Sequence, residues 1–181
     1  MRKLTLVAIL LTLAAAAAAE GPPQQSKAKI NAPKSVITVK MDGMNCTTSA
    51  GTNEFPVQAW SWGASNPVTI GGATGGAGAG KVSISSINVL KHFDQCSPAL
   101  FLGVASGKQF ATMTLTQEDT DNNVILTMSL EHVFVESWQL SGSVNDAVPT
   151  ESVSFAFQKV CVKETSNSTT VCYNAGTNTS Q

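Results

Sequence analysis

Most of this chain repeats with a period of two. From residue 35 to residue 163, apolar and polar side chains alternate in short runs, which places successive side chains on opposite faces of a pleated strand. Ser35–Met41, "SVITVKM", sets Ile37, Val39 and Met41 against Val36, Thr38 and Lys40. Pro56–Trp62, "PVQAWSW", sets Val57, Ala59 and Ser61 against Gln58, Trp60 and Trp62. "KVSISSINVL" begins with Val82 and Ile84 in phase, slips at Ser85–Ser86 and resumes at Ile87 and Val89, the pattern of a bulge. Phe110–Gln117 alternates again, and "EDTDNN" (Glu118–Asn123) carries turn chemistry. The return run, "VILTMSLEHVFVESWQL", keeps Leu126, Met128 and Leu130 in phase, and "SGSVNDAVPTE" is a loop. Ser152–Lys163 puts Val153, Phe155 and Phe157 on one face of a single strand. Roughly seven short strands between turns predict an all-β fold, a closed β-barrel or sandwich of antiparallel strands.

One segment departs from that period. In "SPALFLGVASGK", Ser97 suits a helix N-cap, Pro98 the first helical position and Gly107 the C-terminal stop. A single lateral helix over about Pro98–Ser106 follows, with Leu100, Phe101, Val104 and Ala105 as its apolar face. Two to three turns are too few to persist without tertiary packing.

Between the strands lies "GGATGGAGAGKVS", residues 71–83, which falls one residue short of the phosphate-binding pattern G-x-x-x-x-G-K-[ST]. A phosphate loop needs a helix after the lysine and a hydroxyl on the next residue. Here Val82 follows Lys81 and opens a β-alternating run, so the stretch reads as a glycine-rich inter-strand loop.

The N-terminus has the layout of an export leader. Arg2 and Lys3 precede an apolar stretch, Leu4–Leu13, and small residues, Ala14–Ala19. The 16 residues from Leu4 to Ala19 are short for a membrane span of about 20. A signal peptide over residues 1–19, cleaved after Ala19, is expected, with a secreted or periplasmic mature chain. No later stretch is apolar enough to span a membrane. Residues 20–34 then read as a polar, proline-bearing linker, 35–163 as the β-barrel domain, and 164–181 as a polar hairpin and tail.

Removing Arg2 and Lys3 from the chain's 11 basic residues leaves 9 against 12 acidic, a net charge of −3 with no arginine. A mildly acidic chain without arginine is a poor partner for nucleic acid. Four cysteines in an exported chain imply two disulfides. Cys161 and Cys172 flank a segment able to fold back as a hairpin, which leaves Cys46 to pair with Cys96. No C-x-x-C occurs and both histidines are remote from a cysteine pair, so no metal site is expected. His92, in "KHFD", and His132, in "LEHVF", are the only acid/base candidates for a hydrolase. No G-x-S-x-G elbow accompanies them, and structural roles are the better reading. No cofactor motif is present. Trp60 and Trp62 share a strand face, which suits either a carbohydrate platform or core packing. Asn45, Asn167 and Asn178 fit the acceptor pattern for N-glycosylation.

Taken in order, "AWSWGASNP", "GGAGAGKVSISSINVLKHFDQCSPALFLGVASGK", "LTMSLEHVFVESWQLSGS" and "PTESVSFAFQKV" resemble the haemolysin-coregulated protein (Hcp) family, the tube protein of type VI secretion. The resemblance covers about Ser35–Lys163. It implies a closed β-barrel with one lateral helix, and homohexameric rings that stack into a tube. It further implies no enzymatic activity, small effectors carried in the lumen, and a spike protein at the tip. The loop after the tryptophan pair would contribute to ring stacking, which here means Gly63, Gly71, Gly72, Gly75, Gly76, Gly78 and Gly80. The competing reading is a secreted barrel of the same fold that acts as an extracellular binding or adhesion module through the Trp60/Trp62 face.

Overall fold

The structure, a computed structural model, describes residues 35–69, 78–79 and 81–180. The expected leader and linker therefore lie outside the described residues, as do Gly71, Gly72, Gly75, Gly76 and Gly80. The strands are β1 (Ile37–Met41), β2 (Glu54–Pro56), β3 (Ala59–Ser61), β4 (Ala64–Ser65), β5 (Val68–Thr69), β6 (Gly78–Ala79), β7 (Ser83–Ile84) and β8 (Ile87–His92). Helix α1 (Ser97–Ser106) follows, then β9 (Gln109–Glu118), β10 (Val124–Ser141), β11 (Thr150–Ala156), β12 (Lys159–Glu164), β13 (Thr169–Asn174) and β14 (Thr179–Ser180).

The long strand β10 organises the sheet. Its first half lies between β9 and β12, and its second half pairs with β11. From β9 the antiparallel ladders run to β1 and β2; from β11 they run to β8 and β3. Among the described residues no ladder joins β2 to β3. The chain itself completes the circuit at Val57–Gln58, where Val57 N–H donates to Ile37 O (2.9 Å) and Gln58 N–H donates to Leu90 O (2.8 Å). The expected barrel is therefore present as a circuit closed covalently at one corner, not by a continuous ladder.

Two segments expected as single strands bend at such corners. In Pro56–Trp62 the break at Val57–Gln58 shifts the phase. Val57 is buried with Phe55, whereas Ala59 and Ser61 are exposed and Trp60 and Trp62 are half-buried. In Ser152–Lys163 the break falls at Phe157–Gln158, between β11 and β12. β10 kinks at the same level: Glu131 pairs with Lys159, Phe134 pairs with Ala156, and His132 between them has φ of 54°. A non-glycine residue at positive φ interrupts the pleat, and the facing strand must break with it. The slip at Ser85–Ser86 is likewise a break between β7 and β8 rather than a bulge within one strand.

The in-phase residues fill the barrel. Val39, Phe55, Leu115 and Met128 stand in adjacent positions across β2, β1, β9 and β10, and all are buried. Ile87 and Phe155 do the same across β8 and β11. Each such side chain contributes about 1.5–3 kcal/mol on burial.

Helix α1 closes the side of this core, but not through the face expected for it. Leu100 is buried, Val104 half-buried, and Phe101 and Ala105 are exposed; the buried stripe is Ser97, Leu100 and Gly103. Gly103 sets this orientation. A Cβ there would meet Val135 Cγ2 at 3.1 Å and the Phe110 ring at 3.2 Å, so the bare backbone lies directly on β9 and β10. The N-cap is Cys96, without a side-chain cap bond, and Ser97 is the first helical residue. Gly107 ends the helix in the left-handed conformation, φ 62°, as its position predicts.

Candidate functional site

Described residues around the glycine-rich segment pair as a hairpin arm. Ala64 pairs with Ile84 and Ser65 with Ser83; further out, Val68 pairs with Ala79 and Thr69 with Gly78. Its base is clamped at Gly63 and Ser85. Ser85 N–H and Oγ–H both donate to Gly63 O (3.0 and 2.9 Å), Gly63 N–H donates to Ser85 Oγ (3.0 Å), and Trp62 Nε1–H donates to Ser85 O (3.1 Å). Of the seven glycines expected in a stacking loop, Gly63 lies at this clamped base and Gly78 in β6. Lys81 is exposed, and the residues after it enter strand β7. No helix N-terminus follows the lysine, so the arm lacks the element a phosphate loop requires.

The strand registers fix which end of the barrel the arm leaves. β8 begins beside the arm's base, with Ile87 opposite Phe155; it ends at His92, opposite Thr150. The 142–149 loop and the N-terminus of α1 therefore sit at the far end. Phe93, Leu140, Val144 and Val148 are exposed there, and Phe101, 54% exposed, packs a tilted ring on Trp138 at 5.4 Å between centroids.

Beneath that end lies a buried charged network that no sequence motif announces. Lys91 Nζ is 2.6 Å from Glu151 Oε1 and 2.9 Å from Asp94 Oδ1. It also donates to Ser97 Oγ (3.2 Å) and His92 O (2.9 Å). Ser97 Oγ–H donates to Glu151 Oε1 (2.9 Å), and Trp138 Nε1–H donates to Glu151 Oε2 (2.9 Å). Two signals were available: Lys91 continues the inward phase of Ile87 and Val89, and Glu151 that of Val153 and Phe155. Charges in core phase require each other as partners. The network ties β8, β11, β10 and the start of α1 together, and Ser97 serves it instead of capping the helix.

The other candidates resolve into structural contacts. The Gln58 side-chain amide bonds His92 Nε2 (2.6 Å) at the barrel corner, and the Gln109 amide bonds His132 Nδ1 (3.1 Å) at the kink. Neither histidine has a nucleophile among its hydrogen-bond partners. Trp60 Nε1–H donates to Gln117 Oε1 (3.1 Å), and Trp62 lies 6.4 Å from Phe157 between ring centroids. Both indoles are half-buried with their N–H groups committed internally, which is core packing rather than an open sugar platform. The concavity beside Trp60 holds about 230 Å³, that at the arm's base about 260 Å³ and that between Met44, Leu102 and Lys108 about 250 Å³. Ligand pockets run to about 300–1,000 Å³. Among the described residues no three His, Cys, Asp or Glu side chains converge as metal ligands, and no helix is long and apolar enough to cross a membrane.

Two disulfides brace the fold. Cys46–Cys96 ties the loop after β1 to the cap of α1 across 50 residues. Cys161–Cys172 joins directly paired residues of β12 and β13. The tail after Lys163 is thereby a strand on the β12 edge, followed by a short return, β14.

The family model for "Type VI secretion system effector, Hcp" matches residues 29–163. Similar solved structures include a type six secretion system protein at TM-score 0.72 and 23% identity, covering 82% of this chain and 100% of that one. An Hcp protein of Salmonella typhimurium aligns at TM-score 0.69 and 24% identity over 81% of this chain and 99% of its own. A type VI secretion system effector of Yersinia pestis aligns at TM-score 0.59 and 22% identity over 76% and 97%. Among curated protein sequences none matches.

Proposed function

This chain belongs to the Hcp family of the type VI secretion system, and on that premise we propose that its working unit is a homohexameric ring that stacks on others into a tube. It is a structural protein of the secretion-tube type, and the adhesion-module alternative is not favoured. The observation that carries the assignment is the span of the family match. Residues 29–163 take in the circuit from β1 to β11, the arm, α1 and nearly all of β12.

A ring needs a heterologous contact that closes on itself, and a tube needs a second such contact along the axis. The arm supplies the second in this reading: it extends from one end of the barrel with little side-chain bulk and can settle on a neighbouring ring. The subunit has no catalytic role, and the lumen carries small effectors towards a spike protein at the tip. The mature protein is exported after removal of residues 1–19. The two disulfides support passage through an oxidising compartment, since such bonds are rare in reducing cytosol.

Native mass measurement and negative-stain microscopy of the chain from Glu20 onward test the proposal. Six-membered rings, with stacks at high concentration, are expected. A strictly monomeric species at high concentration would refute it.

A further inference from the structure

We propose that Lys91 Nζ and Asp94 Cγ condense into an amide, an intramolecular cross-link that the folded chain forms itself with Glu151 as the acid/base group. The inference goes beyond the tube-subunit reading and does not depend on it.

The buried network holds every part that such a reaction needs. The nucleophile is Lys91 Nζ, on a side chain closed to solvent and 2.9 Å from Asp94 Oδ1. The carbon it attacks is one bond from that oxygen. Cys96 N–H donates to the same Oδ1 (2.8 Å), so a backbone donor already stands where negative charge develops as Nζ adds. Asp94 Oδ2, the oxygen that leaves, is buried and has no hydrogen-bond partner among the described residues. An orphaned buried oxygen is costly, and condensation removes it from the protein. Glu151 Oε1 lies 2.6 Å from Nζ, within reach of its proton. Ser97 Oγ–H and Trp138 Nε1–H each donate to one Glu151 oxygen at 2.9 Å and so fix the carboxylate against the nucleophile. The buried Phe55 ring, its centroid 5.2 Å from Nζ, adds an apolar wall.

The step balances without an oxidant, a reductant or a cofactor. Lys91, Asp94 and Glu151 bring one positive and two negative charges to the site. Passing one proton from Nζ to the Asp94 carboxylate keeps that sum and reduces three buried charges to one, which a desolvated site favours. Nζ then adds to Cγ, and Glu151 takes a proton from the nitrogen. It returns that proton to the departing hydroxyl as the Cγ–Oδ2 bond breaks, and one water leaves. The Asp94 side chain is 20% exposed, which gives the water a way out. Well-oriented groups within one molecule react at effective molarities of about 10⁵–10⁸ M, enough to outweigh the surrounding water that favours hydrolysis. The product staples the end of β8 to the entry of α1, beside the Cys46–Cys96 bond.

Trypsin digestion of the unfolded, reduced wild-type chain reads the bond directly. The cross-link blocks cleavage after Lys91. The expected product is one peptide, residues 82–108, lighter than its sequence by one water, with no backbone fragments between residues 91 and 94. Separate peptides 82–91 and 92–108 at full mass would overturn the proposal. Loss of water from the 92–108 peptide after cleavage at Lys91 would mark a cyclic imide and would overturn it as well. A bond from Lys91 to Glu151 would overturn Asp94 as the acceptor. Glu151→Gln, with both disulfides formed as the sign of folding, should return the two full-mass peptides; a cross-link that persists there overturns the role of Glu151. Should that variant not fold, Trp138→Phe, which frees Glu151 Oε2, should slow the loss of water after refolding, and an unchanged rate overturns the same role.

Discussion

Lys91 Nζ stands 2.6 Å from Glu151 Oε1 across the β8–β11 pair, and neither side chain reaches solvent. Desolvation makes such a pair a weak source of net stability, but an orphaned partner is costly. Glu151→Ala should therefore destabilise the protein by about 3–5 kcal/mol, since it leaves the buried Lys91 with Asp94 as its remaining counter-charge and removes the acceptor of Trp138. Lys91→Met with Glu151→Leu should recover part of that loss, because two apolar groups leave no buried charge in the pair, while Asp94 loses its lysine and Trp138 its acceptor. Denaturant midpoints of the single and double variants check this. Equal losses in both would mean that the pair's stabilisation exceeds its desolvation cost.

Gly103 is the point at which α1 touches the sheet. Gly103→Val would force a branched side chain against Val135 and Phe110, where even a Cβ finds contacts of 3.1 and 3.2 Å. Overpacking of this kind costs about 1–3 kcal/mol. A lowered thermal midpoint is expected, with faster amide exchange in α1 than in β10. An unchanged midpoint would show that the helix can lift without loss.

How far these features could be read from the sequence depended on how local they were. The period-two runs, the single helix, its Gly107 stop and the turn at Asp119–Asn123 are written in neighbouring residues, and each is where the local chemistry places it. The corners were not legible in the same way. Val57–Gln58 and Phe157–Gln158 look like uninterrupted alternation, and they break because the facing strand changes there, which is non-local information. The face of α1 was misjudged for a related reason: hydrophobicity favoured Phe101, whereas Gly103 decides which side can approach the sheet. Lys91 and Glu151 were the missed signal, two charges in core phase 60 residues apart. The end of the barrel from which the arm leaves could not be read at all, because it follows from the β8–β11 register.

The turn between β9 and β10 provides a pH probe. Asn123 N–H (2.9 Å) and Asp121 N–H (2.8 Å) donate to Asp119 Oδ1, and the Asn123 side-chain amide adds a further donor to the carboxylate. These bonds, the Asn123 backbone first, hold the Asp119 pKa below its ordinary 3.8. A depressed folded-state pKa stabilises the turn fully above the unfolded value, and that contribution disappears as pH falls through the folded one. Side-chain NMR titration should give an Asp119 midpoint under 3.8. In Asn123→Ala the midpoint should move only part of the way back, since the backbone donors remain. A wild-type midpoint at or above the ordinary value would contradict the hydrogen bonding described.

The disulfides differ in exposure, and this predicts an order of reduction. Cys96 is fully buried and Cys46 nearly so, beneath the cap of α1, whereas Cys161 and Cys172 are half-buried on the outermost long ladder. Thiol exchange needs access to a sulfur, so a small dithiol at neutral pH should open Cys161–Cys172 first. The consequences should also differ. The hairpin bond closes a separation of 11 residues, and its loss removes about 2–3 kcal/mol of chain-entropy stabilisation; the other closes 50 residues and is worth about 4 kcal/mol. Losing the hairpin bond should chiefly loosen β13 and β14, because Tyr173 is the residue of those two strands that packs on the core. Alkylation of native protein during stepwise reduction, followed by peptide mass mapping, should label Cys161 and Cys172 while Cys46 and Cys96 remain bonded. Simultaneous labelling of all four would mean that opening at α1 is as frequent as opening at the tail. Free thiols before any reductant would refute both the pairing and the oxidising route proposed for this chain.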